Sequence, residues 1–204
     1  MSVLRNGLMI GSMLALAATA GCSSEKTTYV DNSTDILAND MMPAPETGNM
    51  MGNAMVPGGE RAEAVLKTAD GTQVGTAVVQ QTADGLQATV QVNGVPAGKH
   101  GVHVHMTGSC EAPDFKSAGG HWNPDAKQHG IENPQGAHAG DMPNLVVGDD
   151  GTGSLTFTLQ GGSFATLMDD DGSAFIVHAG EDDLKSDPAG DAGARYACGV
   201  FEAQ

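Results

Sequence analysis

The chain has 204 residues, 40% of them hydrophobic but only 4% aromatic, with 29 glycines and a formal net charge of −16. So acidic a chain is ill-suited to nucleic acid, whose phosphates call for basic patches, and no nucleic-acid partner is expected. The length allows one ordinary domain plus extras, and the glycine content suits a loop-rich β protein better than a helical bundle.

The first elements are not part of a fold. Arg5 precedes the apolar run GLMIGSMLALAATA, which is too short to span a bilayer comfortably and has the build of an export signal. The run ends in TAGC, residues 19–22, which resembles the lipobox of bacterial lipoproteins with Cys22 as the lipidated residue. On that reading residues 1–21 are a signal peptide and a lipid anchor ties the chain to a membrane of the bacterial cell envelope. Ser23 after the cysteine implies, by the same resemblance, the outer membrane, facing the periplasm. The alternatives are an ordinary signal peptide cut nearby and an apolar start that is not exported. Of three cysteines, lipid on Cys22 leaves Cys110 and Cys198 as a pair, in a compartment where a disulfide persists.

Residues 22–60 lack sustained periodicity and are rich in Gly, Pro, Asn, Ser and Thr, the composition of a flexible tether. Met41, Met42, Met50, Met51 and Met55 crowd this stretch. Thioether sulfur selects Cu(I), so the cluster is either a copper-capturing arm, a passive spacer or a set of sacrificial methionines.

From Arg61 the pattern changes, and 61–204 reads as one domain. Three apolar-rich segments separated by two ADG turns, with alternation clearest in LQATVQV, predict an antiparallel meander. NLVV, SLTFTLQ, AFIVHAG and RYACGVF look similar. About eight short antiparallel strands with no convincing amphipathic helix imply an all-β sandwich or barrel. Residues 108–144 have little strand character, and so long a loop in a compact domain is usually functional.

Six of the seven histidines carry the chemistry. His103 and His105 lie two apart in GVHVHM, so on a strand they project from one face while Val102 and Val104 project from the other. His121, His129 and His138 are spaced by eight and nine residues, with Asp141 three further on. Three imidazoles and a carboxylate form a candidate zinc set. His178 ends the apolar run AFIV. The competing reading, a solvated polar loop, does not explain why nearly all the histidines gather in two segments.

HGVHVHMTGSC, SAGGHWNPDAKQHG, HAGDMPNLVVGDDGTG, FIVHAGEDDL and GARYACGV occur in this order and together resemble the successive signatures of the copper,zinc superoxide dismutases. The resemblance covers about residues 61–202 and implies a Greek-key β-barrel of the sandwich type with long metal-binding loops. It implies copper and zinc as cofactors and the superoxide anion as substrate. Copper would be held by His103, His105, His121 and His178, and zinc by His121, His129, His138 and Asp141, with His121 shared. Asp182 matches an aspartate that hydrogen-bonds the far nitrogens of a copper and a zinc histidine, here His103 and His129. Its competing reading is one charge in an acidic run. Arg195 matches an arginine beside the copper that attracts the anion. His100 matches a histidine that supports a loop without binding metal.

The implied catalytic residues are thus His121 and Arg195. One feature sits awkwardly with an anionic substrate: residues 61–204 hold 7 basic and 19 acidic side chains, a net charge of −12. A cleft can focus positive potential against such a background, and Lys116 and Lys185 join Arg195 as contributors. The rival function is an envelope copper-binding or buffering protein with a dismutase-like fold. Nothing in the pattern sets an oligomeric state.

Overall fold

The computed structural model describes residues 59–204. The expected signal peptide, Cys22 and the methionine-bearing part of the expected tether lie outside the described residues. The meander begins with β1 (Arg61–Thr68), β2 (Gln73–Thr82) and β3 (Gly85–Asn93), paired in sequence by antiparallel ladders. The two ADG turns join them, and Gly71 and Gly85 take positive φ there, 87° and 118°, which suits glycine. Alternation does what it should. In β3, Leu86, Ala88, Val90 and Val92 are buried while the residues between them are not.

The remaining strands are β4 (Gly98–His100), β5 (Val102–His105), β6 (Leu145–Val147), β7 (Thr152–Thr158), β8 (Ala174–His178) and β9 (Arg195–Ala203). The sheet order is β4-β6-β7-β3-β2-β1-β9-β8-β5, all antiparallel where paired. Strands β4 and β5 stand at opposite ends of that order, yet only Gly101 separates them in the chain. The sheet must therefore curl until its ends nearly meet, giving a nearly closed barrel. From β3 the chain passes β7 and β6 to lay down β4, a Greek-key crossover and not a continued meander.

Nine strands form where the sequence predicts about eight. The additional one is β4, whose GKH has three residues and a leading glycine, too short to show a period. A one-turn helix, Phe164–Leu167, capped by Ser163, and a 3-10 turn, Lys116–Ala118, interrupt the loops.

The main core fills the barrel with Leu66, Val79, Val90, Val104, Leu145 and Phe175 among others. A second cluster of Phe115, Ala118, Ala174, Ile176 and Cys198 lies apart from it. All five residues of β8 are buried, because Phe175 and Val177 belong to the barrel core and Ala174 and Ile176 to the second cluster. That is why AFIV reads as a continuous apolar run. The segment after β5 therefore packs over the barrel wall, and the histidines lie beneath it.

Candidate metal centre

Val102 and Val104 of β5 are fully buried in the barrel core, which turns His103 and His105 to the other face. One edge of β5 pairs with β8. Its other edge would be left with unpaired backbone groups, and here the long loop supplies the partners. Val104 N–H donates to Gly140 O at 3.0 Å, Trp122 N–H to Val104 O at 2.8 Å and Met106 N–H to Gly120 O at 3.0 Å. Two isolated bridges result, His103 with Asp141 and His105 with His121. Gly140 is required for this approach, since a Cβ there would overlap the Val104 carbonyl oxygen. His178 arrives from β8, where the register with β9 shifts between Val177 and His178 and sets His178 opposite Arg195. Such a bulge re-aims side chains.

Among the described residues, five buried side-chain polar atoms lack a hydrogen-bond partner, and four of them are His103 Nδ1, His105 Nε2, His121 Nε2 and His178 Nε2. The fifth is the Ser173 hydroxyl. A buried polar atom without a partner costs about 1–3 kcal/mol, so four together call for a common occupant. Ligand nitrogens of these same four residues lie within 4.8 Å of one another. Nitrogens facing each other across an ion with bonds of about 2 Å stand about 4 Å apart, so the set fits copper, which imidazole suits.

The opposite ring nitrogens fix each ring. His105 Nδ1 faces Gly119 O at 3.0 Å, His178 Nδ1 faces Gly193 O at 3.2 Å and His103 Nε2 faces Asp182 Oδ2 at 2.5 Å. Each acceptor takes the ring's N–H and leaves the other nitrogen's lone pair for a metal. Burial, with neighbouring imidazoles adding repulsion, pushes the pKa of His103 down to about 3 and that of His178 to about 4. Burial also holds His105 well below the usual histidine value. All three are neutral bases at pH 7, the form a metal needs.

The second group centres on Asp141 Oδ1. His121 Nδ1 stands 2.8 Å from it, His129 Nδ1 3.0 Å and His138 Nδ1 3.3 Å, while His138 Nδ1 is 3.5 Å from His121 Nδ1. A tetrahedral zinc ion with bonds of 2.0–2.1 Å has ligands about 3.3–3.4 Å apart. The fit is close. His103 also comes within 4.8 Å of this group, but its Nε2 is committed to Asp182 and its Nδ1 belongs to the first set. Asp141 Oδ2 accepts the backbone N–H groups of Gly130 and His138 at 2.8 and 2.9 Å. Burial would raise the Asp141 pKa, but the hydrogen bonds of the His121, His129 and His138 rings, with that of the Gly130 N–H, hold it well below the carboxylate range. For His129 burial disfavours the proton, yet Asp141 and Asp182 outweigh it and raise the pKa to about 9. Zinc entering at neutral pH has that proton to displace.

Asp182 joins the two groups. Its Oδ1 stands 3.1 Å from His129 Nε2 and its Oδ2 binds His103 Nε2. Asn144, which the sequence did not flag, clamps the Asp182 backbone with two hydrogen bonds of 2.8 Å. Gly190 was missed as well: at φ 61° it packs where any Cβ would overlap the Asp182 carboxylate. Neither residue carries a metal-ligand atom, so the sequence assigns neither a role, although Asn144 lies within HAGDMPNLVVGDDGTG. Asp182→Asn keeps the shape but sets an NH2 group against a ring N–H. It is expected to weaken both metals by about 10–100-fold, measured by chelator competition. Unchanged affinities would show that Asp182 does not orient the rings.

Arg195 donates from both terminal nitrogens, to Phe115 O and Gly119 O, each at 2.5 Å. Gly119 O thus serves both Arg195 and His105. Cys110 and Cys198 form a disulfide with Cα atoms 5.7 Å apart, tying this loop to β9. His100 stays outside both groups, its ring nitrogens 2.7 Å from His178 O and 2.8 Å from Pro96 O. Lys116 pairs with Asp114 and Lys185 with Glu132.

Comparison with known proteins places these groups in context. The family model of copper/zinc superoxide dismutase matches residues 73–201. A copper-zinc superoxide dismutase of Aquifex aeolicus is 42% identical over 147 residues, 69% of this chain and 86% of its own. The crystal structure of a superoxide dismutase-like protein from Bacillus subtilis is 41% identical, with a TM-score of 0.62, over 68% of this chain and 96% of the other. The Cu/Zn superoxide dismutase from Brucella abortus is 32% identical with a TM-score of 0.58, over 70% of this chain and the whole of its own.

Proposed function

The chain belongs to the copper/zinc superoxide dismutase family, and we propose that it dismutates superoxide in a bacterial envelope, with His121 shared between copper and zinc. The observation that carries this reading is the set of four unpartnered buried nitrogens beside a histidine–aspartate group that overlaps it at His121. Copper held there would supply one-electron chemistry, by which two superoxide anions and two protons would become one dioxygen and one hydrogen peroxide. His103, His105 and His178 hold their lone pairs at fixed angles on two paired strands and on hydrogen-bonded rings.

His121 does more than hold. Its Nδ1 faces the zinc group and its Nε2 the copper group, so Nε2 can take up a proton and pass it to the nascent peroxide while Nδ1 stays fixed. Zinc, if held by His121, His129, His138 and Asp141, would keep that ring in place without taking part in the electron transfer. Arg195 supplies positive charge where the anion docks, next to His105 and His178, on both of which its charge acts.

The test is superoxide consumption by protein reconstituted with both metals, with zinc alone and with neither. Activity is expected only with copper, at one copper and one zinc per chain. Stoichiometric copper without activity would favour the buffering protein. Arg195 supports the enzyme, because a copper store has no use for an anion-attracting guanidinium at its site.

The lipobox supports anchoring at Cys22, which lies outside the described residues. Protein purified from native membranes is expected to carry a diacyl or triacyl addition on Cys22, enough chains for stable anchoring. Intact-mass measurement of a soluble product without lipid would refute the anchor.

A further inference from the structure

Each ring of the two groups spends its outward nitrogen on an acceptor, with one exception. His105 Nδ1 and His178 Nδ1 face the carbonyl oxygens of Gly119 and Gly193, and His103 Nε2 and His129 Nε2 face the two oxygens of Asp182. His121 turns one nitrogen to each group. His138 is the exception. Its Nδ1 stands 3.3 Å from Asp141 Oδ1 and 3.5 Å from His121 Nδ1, so Nδ1 holds the lone pair for zinc and Nε2 carries the proton. That N–H has no hydrogen-bond partner among the described residues. The carboxylate that approaches it is Asp187, with Oδ1 3.9 Å away.

Asp187 is placed to close that gap. It lies on the loop after β8, whereas His129 and His138 lie on the long loop between β5 and β6. Asp187 Oδ1 already accepts the His129 backbone N–H at 2.7 Å, so the carboxylate reaches from one loop to the other beside the zinc group. Its Oδ2 makes no hydrogen bond among the described residues, and the side chain is 49% exposed, which leaves it room to turn. A carboxylate has about four lone-pair positions. Turned about its last bond, it can keep the His129 N–H on one oxygen and offer the other to His138. A cation bound at His138 Nδ1 would draw electron density from the ring and make Nε2–H a stronger donor, and an ionised acceptor makes the stronger hydrogen bond. The His138 side chain is also the most exposed of the group, at 8% against 1–2% for His121, His129 and Asp141. The zinc group therefore meets water on the side where Asp187 stands.

We propose that Asp187 is a positioning residue for zinc: its carboxylate takes the His138 Nε2–H once the metal is bound and so fixes the last free ring of the group. Two aspartates of one loop then divide the work. Asp182 fixes His103 and His129 from within, and Asp187 fixes His138 from the solvent side. The proposal rests on the metal pair of the dismutase reading and adds to it a residue to which the sequence gives no role.

The experiment uses the full chain loaded with zinc and with copper in the diamagnetic Cu(I) state. Zinc affinity is read by chelator competition, and the ring N–H protons by nitrogen–proton NMR correlation. Asp187→Ala is expected to weaken zinc by about 10–100-fold and to lose the His138 Nε2–H resonance to exchange with water. The His129 Nε2–H resonance, held by Asp182, should persist, and copper affinity should stay at the wild-type value. Asp187→Asn keeps a carbonyl oxygen as acceptor, and is expected to restore the His138 resonance and part of the zinc affinity. A merely structural role in fastening the two loops would disturb both rings, so loss of both resonances in Asp187→Ala overturns the proposal. So does a zinc affinity or a His138 resonance unchanged in that variant, which would assign the acceptor to water. Wild-type protein that takes up no zinc would sink the metal pair itself, a result distinct from zinc bound equally well by both proteins.

Discussion

Alanine at position 178 is expected to remove copper and bring superoxide consumption to the buffer background, while zinc stays at one per chain. His178 contributes one of the four unpartnered nitrogens, and it is not among the residues whose ligand atoms gather with Asp141. Losing a residue that merely orients a ligand costs about 10–100-fold in metal affinity, so losing a ligand itself should cost more. The backbone contacts of this position survive the substitution: His178 N–H donates to Gly101 O, and His178 O faces His100 Nδ1. Elemental analysis after reconstitution decides the matter. If copper and zinc fall together, the two groups are not separable. If copper stays, His178 is not a ligand.

The same residue shows what the sequence can and cannot disclose. AFIVH marks a buried strand ending in a histidine, and alternation in VHVH predicts the face on which His103 and His105 lie. Both follow from a period of two. Neither pattern reveals the register shift that sets His178 opposite Arg195, because a bulge depends on the partner strand. The carbonyls of Gly119 and Gly193, which fix two histidine tautomers, carry no side-chain signature at all. Only the folded path of the loops supplies them. Strand β4 was lost for a different reason: three residues cannot display a period.

Charge behaves in the same way. The composition announces an acidic domain but not which lysines are spent on neighbouring carboxylates. Lys116 and Lys185 look equivalent in the sequence. In the fold Lys116 pairs with Asp114 and Lys185 with Glu132, but only Lys116 lines a groove beside Arg195. Net charge speaks to solubility and long-range attraction, whereas the field at a site depends on placement.

Replacing Cys110 and Cys198 together with serine is expected to be the most destabilising change outside the metal groups. The bridge spans 88 residues of sequence, and closing a loop of that length removes about 4–5 kcal/mol of unfolded-chain entropy in the chain-entropy model. A domain has about 5–15 kcal/mol in all. The midpoint of thermal unfolding should therefore fall by roughly 10–20 °C for a domain of this size. Metal-free protein is the form to measure, because tightly bound metals stabilise the native state and mask part of the loss. The loss also reaches the site. Cys110 lies on the loop whose Phe115 and Gly119 carbonyls hold Arg195 and His105, and Cys198 lies three residues past Arg195 on β9. With the tether cut, that loop is retained by Phe115 and Ala118 in the small second cluster and by the hydrogen bonds around Gly119 and Gly120. The serine variant should thus also bind copper more weakly, because Gly119 O orients the His105 ring and His121 follows two residues later on the same loop. A denaturation midpoint within a few degrees of the parent, in metal-free protein, would mean that those contacts hold the loop without the bridge.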